Sequence, residues 1–172
     1  RRHTRYIGDW SSDVCSSDLF IYLNDGNLNF NEKILFGSGK DNTRSIEIGD
    51  FNQDGFPDIA TANIKEPNVI YFGDKLLSYD FKNVFDESYS SSFSITVNDF
   101  DNDGDLDIAV GNSPGQNFIF LNLYSGQNWE IVNLLDNKFR TYDIISSDIN
   151  SDGRIDIIEA NSDESNFYHI LK

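Results

Sequence analysis

The run Asp99-Phe-Asp-Asn-Asp-Gly-Asp-Leu-Asp107 constrains this chain more than any other stretch. Five aspartates alternate with other residues, and a glycine stands sixth. Bare carboxylates at that density repel one another and raise one another's pKa, so the run is no buried strand. It is suited to a cation. Calcium takes roughly six to eight oxygen ligands, and alternate side chains of a tight loop supply them. The pattern predicts side-chain ligands at Asp99, Asp101, Asp103 and Asp107, and a backbone carbonyl at Asp105. Gly104 permits the bend that folds them inward.

The loop recurs at Asp50-Phe-Asn-Gln-Asp-Gly-Phe-Pro-Asp58 and at Asp148-Ile-Asn-Ser-Asp-Gly-Arg-Ile-Asp156, 49 residues to either side. The register of 49 extends beyond the loops. Phe20-Ile-Tyr-Leu-Asn24 aligns with Val69–Gly73, Phe118–Asn122 and Phe167–Leu171, and Ile59, Ile108 and Ile157 follow the three loops. Ile46, Ile95 and Ile144 precede them, while Asn63, Asn112 and Asn161 and then Asn68, Asn117 and Asn166 recur downstream. Fixed-period self-similarity of this length marks a repeat architecture.

Each unit reads as four short strands: near 44–49, 93–98 and 141–147; near 57–62, 106–111 and 155–160; near 68–73, 117–122 and 166–171; and near 31–36, 80–85 and 129–135. The segment 129–135 also reads as a helical turn, but its aligned partners favour strand. Short, evenly spaced strands with turn signals predict an all-β fold, and four per unit is the pattern of a β-propeller blade. The expected fold is a partial β-propeller of about three and a half blades over residues 20–172, with breaks near 38–43, 87–92 and 136–140. Closure takes about four to eight blades, so a longer parent chain is expected to supply the rest.

Residues 1–19 fall outside the register, although the period would place another acidic loop at position 1. They hold Cys15, the only cysteine, and no apolar core of a signal peptide. The stretch resembles translated sequencing-adapter read-through and is expected to be a non-native or disordered leader. Without Cys15, neither disulfides nor thiol chemistry is available.

The three loops in register, with Phe-Ile-Tyr-Leu-Asn-like strands after them, resemble FG-GAP/VCBS repeats, the family of the integrin alpha-subunit propeller and of many bacterial surface and secreted proteins. The resemblance covers 20–172 and implies a calcium-stabilised propeller that is secreted or at the cell surface and binds proteins or glycans. It also implies ligands at Asp50, Asn52, Asp54, the Phe56 carbonyl and Asp58. In the third loop it implies Asp148, Asn150, Asp152, the Arg154 carbonyl and Asp156. The middle loop then offers four carboxylates and each flanking loop three. The family hosts many functions, so the likeness gives a scaffold and not a target. A binding or adhesion module without catalysis is the first expectation. The propeller of a secreted polysaccharide-degrading enzyme is the second.

An EF-hand or dockerin is the rival. Asp148 to Glu159 fits its pattern, but the other loops have Thr61 and Val110 at the twelfth position, and Pro57 lacks the N–H a sister loop would need. In a strand, Asp156 and Glu159 also point to opposite faces. Gly111-Asn-Ser-Pro-Gly115 matches G-x-S-x-G, yet Ser113 lies in a turn between strands where a nucleophile elbow needs a strand, a turn and a helix. His169 sits in a strand pattern with no partner in view, and Gly37-Ser-Gly-Lys40 lacks the spacing of a phosphate loop. The net charge of −16 disfavours nucleic acid and anionic membranes, and no apolar run approaches the roughly 20 residues that span a bilayer.

Overall fold

The structure is a computed structural model that describes residues 19–134, 140–162 and 167–170. Among these, 13 strands form four antiparallel sheets, each a simple meander. β1 (Leu19–Leu23) and β2 (Glu32–Phe36) make the first. β3 (Thr43–Gly49), β4 (Asp58–Asn63), β5 (Asn68–Phe72) and β6 (Phe81–Asp86) make the second. β7 (Ser92–Asn98), β8 (Asp107–Asn112), β9 (Phe118–Tyr124) and β10 (Asn128–Asn133) make the third. β11 (Thr141–Ser147), β12 (Asp156–Asn161) and β13 (Phe167–His169) make the last. The unclosed series of sheets is a partial propeller, and each sheet is a blade. No helix long and apolar enough to cross a membrane occurs among the described residues.

Two boundaries differ from the sequence reading. Leu19, assigned to the leader, opens β1, where it pairs with Phe36 and packs into the first inter-blade core. Residues 1–18 lie outside the described residues. The second strand of each full blade starts at the ninth loop position, one residue later than expected, because that aspartate is folded into the strand end. The segment at Asn128–Asn133 is a strand, in keeping with its aligned partners.

Strand alternation gives each blade two faces that can pack against its neighbours. Ile59, Val69 and Tyr71 of the second blade pack against Phe36, Leu19 and Ile21 of the first. Its other face carries Ala60, Ala62, Ile70 and Phe72, which meet Ile95, Ile108, Val110 and Phe120 of the third. Ala109 and Ile119 then meet Ile144 and Ile157 of the fourth. Small residues on the inner strands let the blades close in. A Cβ added at Gly111 would lie 2.9 Å from Thr141 Cγ2, so only glycine fits there.

The first strands β3, β7 and β11 lie side by side and are stitched across the blades. Ser94 Oγ donates to Asp143 Oδ1 (2.8 Å), and Thr96 Oγ1 shares a hydrogen bond with Ser146 Oγ (2.9 Å). Where a neighbouring blade is incomplete, the repeat's apolar column is bare. Ile95 and Ile144 are 2% and 1% exposed, while the aligned Ile46 is 51% exposed. At the far end Ile145 and Ile158, cross-strand partners on the outer face, are likewise uncovered.

Candidate metal centre

The three acidic loops join the first and second strands of successive blades, so all three lie at one end of the sheets. Their shape comes from carboxylates capturing backbone amides. Asp103 N–H donates to Asp99 Oδ1 (3.1 Å) and Asp101 Oδ1 (3.2 Å), Gly104 N–H to Asp99 Oδ2 (3.0 Å), and Asp105 N–H to Asp103 Oδ1 (2.8 Å). The same bonds recur about Asp50, Asn52 and Asp54, and about Asp148, Asn150 and Asp152. The sixth-position glycines have φ of +88°, +97° and +86°, with open space where a Cβ would stand. They serve the backbone turn and not packing. The fourth position is left-handed as well, at Gln53, Asn102 and Ser151 (φ 58°, 61° and 60°), which the sequence reading missed. Asn102 carries a signal for it, since asparagine tolerates that region; Gln53 and Ser151 carry none.

The ninth-position aspartates are the buried members of the set. Asp107 Oδ2 accepts from Phe100 N–H and Oδ1 from Asn122 N–H (both 2.8 Å). Asp58 Oδ2 accepts from Phe51 N–H and Oδ1 from Gly73 N–H (both 2.9 Å). Asp156 Oδ2 accepts from Ile149 N–H (3.0 Å). Its Oδ1 is buried and has no partner among the described residues. The register places position 171, outside those residues, where Gly73 and Asn122 stand.

Burial pushes the Asp107 carboxyl up to about 6, against the hydrogen bonds from Asn122 and Phe100, with the charges of Asp101 and Asp103 adding to the rise. Burial likewise raises Asp58 to about 6, with Asp54 and Asp50 as lesser causes. The expectation that mutual repulsion lifts these groups therefore names the smaller cause. Asp101 is also raised, by burial first. Asp152 is lowered, chiefly by the Arg154 N–H and also by the Arg154 guanidinium, 2.6 Å from Asp152 Oδ2.

The middle loop gathers its carboxylates. One oxygen each from Asp99, Asp101 and Asp107 lies within 4.8 Å of the others. Asp103 is not part of this cluster; its Oδ1 accepts from the Asp105 amide. The Asp105 side chain accepts a hydrogen bond from Gln53 of the neighbouring loop. Among the described residues, neither flanking loop brings three carboxylates together in this way. There the third position is an amide that holds the fifth: Asn52 Nδ2 donates to Asp54 Oδ2 (2.9 Å) and Asn150 Nδ2 to Asp152 Oδ2 (3.0 Å). The middle cluster fits a hard divalent cation. Its donors are all oxygen, one is buried and fixed by backbone amides, and the loop has no basic residue.

Two rival readings fail on geometry. Glu159, the twelfth-position residue an EF-hand would need, is buried against the third blade and accepts from Asn117 Nδ2 (2.7 Å), far along β12 from the loop. Ser113 stands between β8 and β9 with no helix after it. His169 belongs to β13, and its side chain lies outside the described residues.

A family model described as an FG-GAP-like repeat matches residues 6–61 and 99–168, well over half of the chain. The first matched segment begins inside the stretch set apart as a leader, and the residues between the two matches carry the same strand order. No curated protein matches the chain. With its repeated loops, meander sheets and matched segments, the chain belongs to the FG-GAP-like repeat family.

Proposed function

We propose that this chain is a calcium-stabilised β-propeller module that works outside the cell, secreted or at the cell surface. It binds a protein or glycan ligand and carries no catalysis in this segment. The observation that supports calcium is the cluster of Asp99, Asp101 and Asp107 oxygens within 4.8 Å of one another. A loop-borne oxygen set suits calcium, which accepts irregular geometry, better than magnesium, which demands a near-ideal octahedron. Asp99, Asp101, Asp103 and Asp107 would hold the ion with the Asp105 carbonyl. The flanking sites would use Asp50, Asn52, Asp54, the Phe56 carbonyl and Asp58, and Asp148, Asn150, Asp152, the Arg154 carbonyl and Asp156. The exposed faces at Ile46 and Ile48 and at Ile145 and Ile158 would receive further blades of the same architecture.

Calcium titration calorimetry on the metal-stripped chain tests this reading. Binding near 0.1 to 1 mM, about the range of extracellular modules, is expected, with the 99–107 loop tightest. Asp101→Asn should weaken that loop towards its neighbours. Equal affinities in all three loops would reject the ranking, and no heat with calcium would reject the metal.

A further inference from the structure

We propose that the loops at 50–58 and 99–107 form a coupled pair of cation sites, joined through Asn122 and Gln53, while the loop at 148–156 binds on its own. The inference rests on the cation reading above and adds how the sites communicate. A buried chain of hydrogen bonds links the ninth-position carboxylates of the two loops. Phe51 N–H holds Asp58 Oδ2 (2.9 Å), Asn122 Nδ2 donates to Phe51 O (3.0 Å), and Asn122 N–H holds Asp107 Oδ1 (2.8 Å). Asp58, Phe51 and Asp107 are 0% exposed and Asn122 is 1% exposed. The Asn122 amide is fixed from both sides. Its Oδ1 accepts from Gly126 N–H (2.8 Å), and its Nδ2 also reaches Leu106 O (3.3 Å). A second link runs across the surface, where Gln53 Nε2 donates to Gly104 O (3.2 Å) and to the Asp105 carboxylate.

The direction of the effect follows from these bonds. A cation on the middle loop fixes Asp107, and with it the Asn122 backbone and the amide that holds Phe51. Phe51 in turn aims its N–H at Asp58. Ordering achieved by the first ion need not be repeated for the second, which makes the coupling positive. Linkage makes it reciprocal. Among the described residues no such bond reaches the third loop, and the Asn122 column there holds Leu171, whose side chain has no amide to donate. Asn122 is thus a positioning residue that touches no ion itself.

The sixth-position glycine amides, each hydrogen-bonded to the first aspartate of its loop, report the three sites separately. Calcium is titrated into the ¹⁵N-labelled, metal-stripped chain, following Gly55, Gly104 and Gly153. Asp101→Ala, which disables the middle site, should move the Gly55 midpoint about fivefold higher, the low end of allosteric coupling, and leave Gly153 where it was. In an Asn122→Leu background the same substitution should move Gly55 less, and with Gln53→Ala added it should no longer move Gly55. Gln53→Ala, at the surface, should reduce the shift without threatening the fold, and decides the matter if Asn122→Leu does not fold. A Gly55 midpoint indifferent to Asp101→Ala overturns the coupling and leaves the cation reading intact. A Gly153 shift as large as that of Gly55 overturns the pairing. No glycine moving with calcium overturns both.

Discussion

At the turn end of the blades, opposite the acidic loops, the joints are neutral amides and hydroxyls with one carboxylate at each boundary. Asn68 Nδ2 donates to Ser92 Oγ and to Asp86 Oδ2 (both 2.9 Å), and Ser92 passes a bond on to Asn112 Oδ1 (3.0 Å). One blade later, Asn117 Nδ2 donates to Thr141 Oγ1 (2.8 Å) and Glu159 Oε1 (2.7 Å), and Thr141 passes a bond to Asn161 Oδ1 (2.6 Å). At the loop end the joints are carboxylates, two of them buried and pushed towards neutrality. Both ends join the same blades, so the difference is one of chemistry. A hydrogen-bonded network is complete in the protein alone, whereas a carboxylate cluster needs a proton or a cation to relieve it. The turn end should stabilise the fold under all conditions and the loop end only conditionally.

The largest expected effect lies at the turn end. Asn117→Ala removes two donors at once and leaves the buried Glu159 carboxylate short of a hydrogen bond. Leaving a buried charged group under-satisfied costs about 3 kcal/mol. Urea unfolding measures it, and the loss should be equal in calcium and in chelator. A loss that shrinks when calcium is added would break the comparison, because the two ends would then share one source of stability.

The pH response of the metal-free chain comes next. Asp58 and Asp107 titrate near 6 in the folded protein, against about 3.9 when unfolded. Between those values the folded state binds more protons, so stability falls as pH rises from 4 to above 6. The full penalty is at most about 3 kcal/mol per carboxylate, of which the step from pH 5 to pH 7.5 exposes about half. Without metal, the melting temperature should be higher at pH 5 than at pH 7.5. Millimolar calcium should reverse the order, since the ion replaces the proton. Asp107→Asn should flatten the metal-free slope. A slope of opposite sign would mean that other carboxylates control acid stability.

Much of this molecule was legible in its sequence because a repeat shows its columns three times. Ile46, Ile95 and Ile144 marked one face of the first strand, and the turn asparagines marked the other end of the blade. The separation of Asp156 and Glu159 to opposite faces of β12 follows from strand periodicity alone, and it counts against the EF-hand. One missed feature is a contact the repeat does not share. The Asn122 column holds Asn24, Gly73, Asn122 and Leu171, so the period carries no trace of the contact Asn122 makes to Phe51. The burial of Asp58 and Asp107, the main cause of their raised pKa, is a tertiary effect that local sequence does not describe.

Calcium removal should have a smaller effect per site. At millimolar ion and a dissociation constant near 0.1 mM, one site contributes about 1.4 kcal/mol. Chelation should therefore lower the melting temperature of the wild type. It should do less to Asp99→Asn, which loses a ligand of the middle cluster. An equal drop in both would mean that the middle loop contributes nothing and that the loop end is not conditional in the way proposed.

The smallest effect distinguishes one loop from another. The third loop has a cation of its own, because Arg154 lies 2.6 Å from Asp152 and helps hold that carboxylate below its usual range. The pair is exposed, so solvent and salt screen it. It nevertheless occupies an oxygen that an ion would want, and it adds a positive charge beside the approaching ion. Arg154→Gln removes both obstacles and keeps the backbone carbonyl at the seventh position. Calcium should then bind the third loop about threefold tighter at low salt, with a smaller gain at physiological salt. The Gly153 amide reports this site, while Gly55 should not move. If the gain persists at high salt, charge is not its source, and the freed Asp152 oxygen is the better account. If affinity falls, Arg154 organises the loop rather than competing with the ion, and the flanking loops differ from the middle one only in their asparagines.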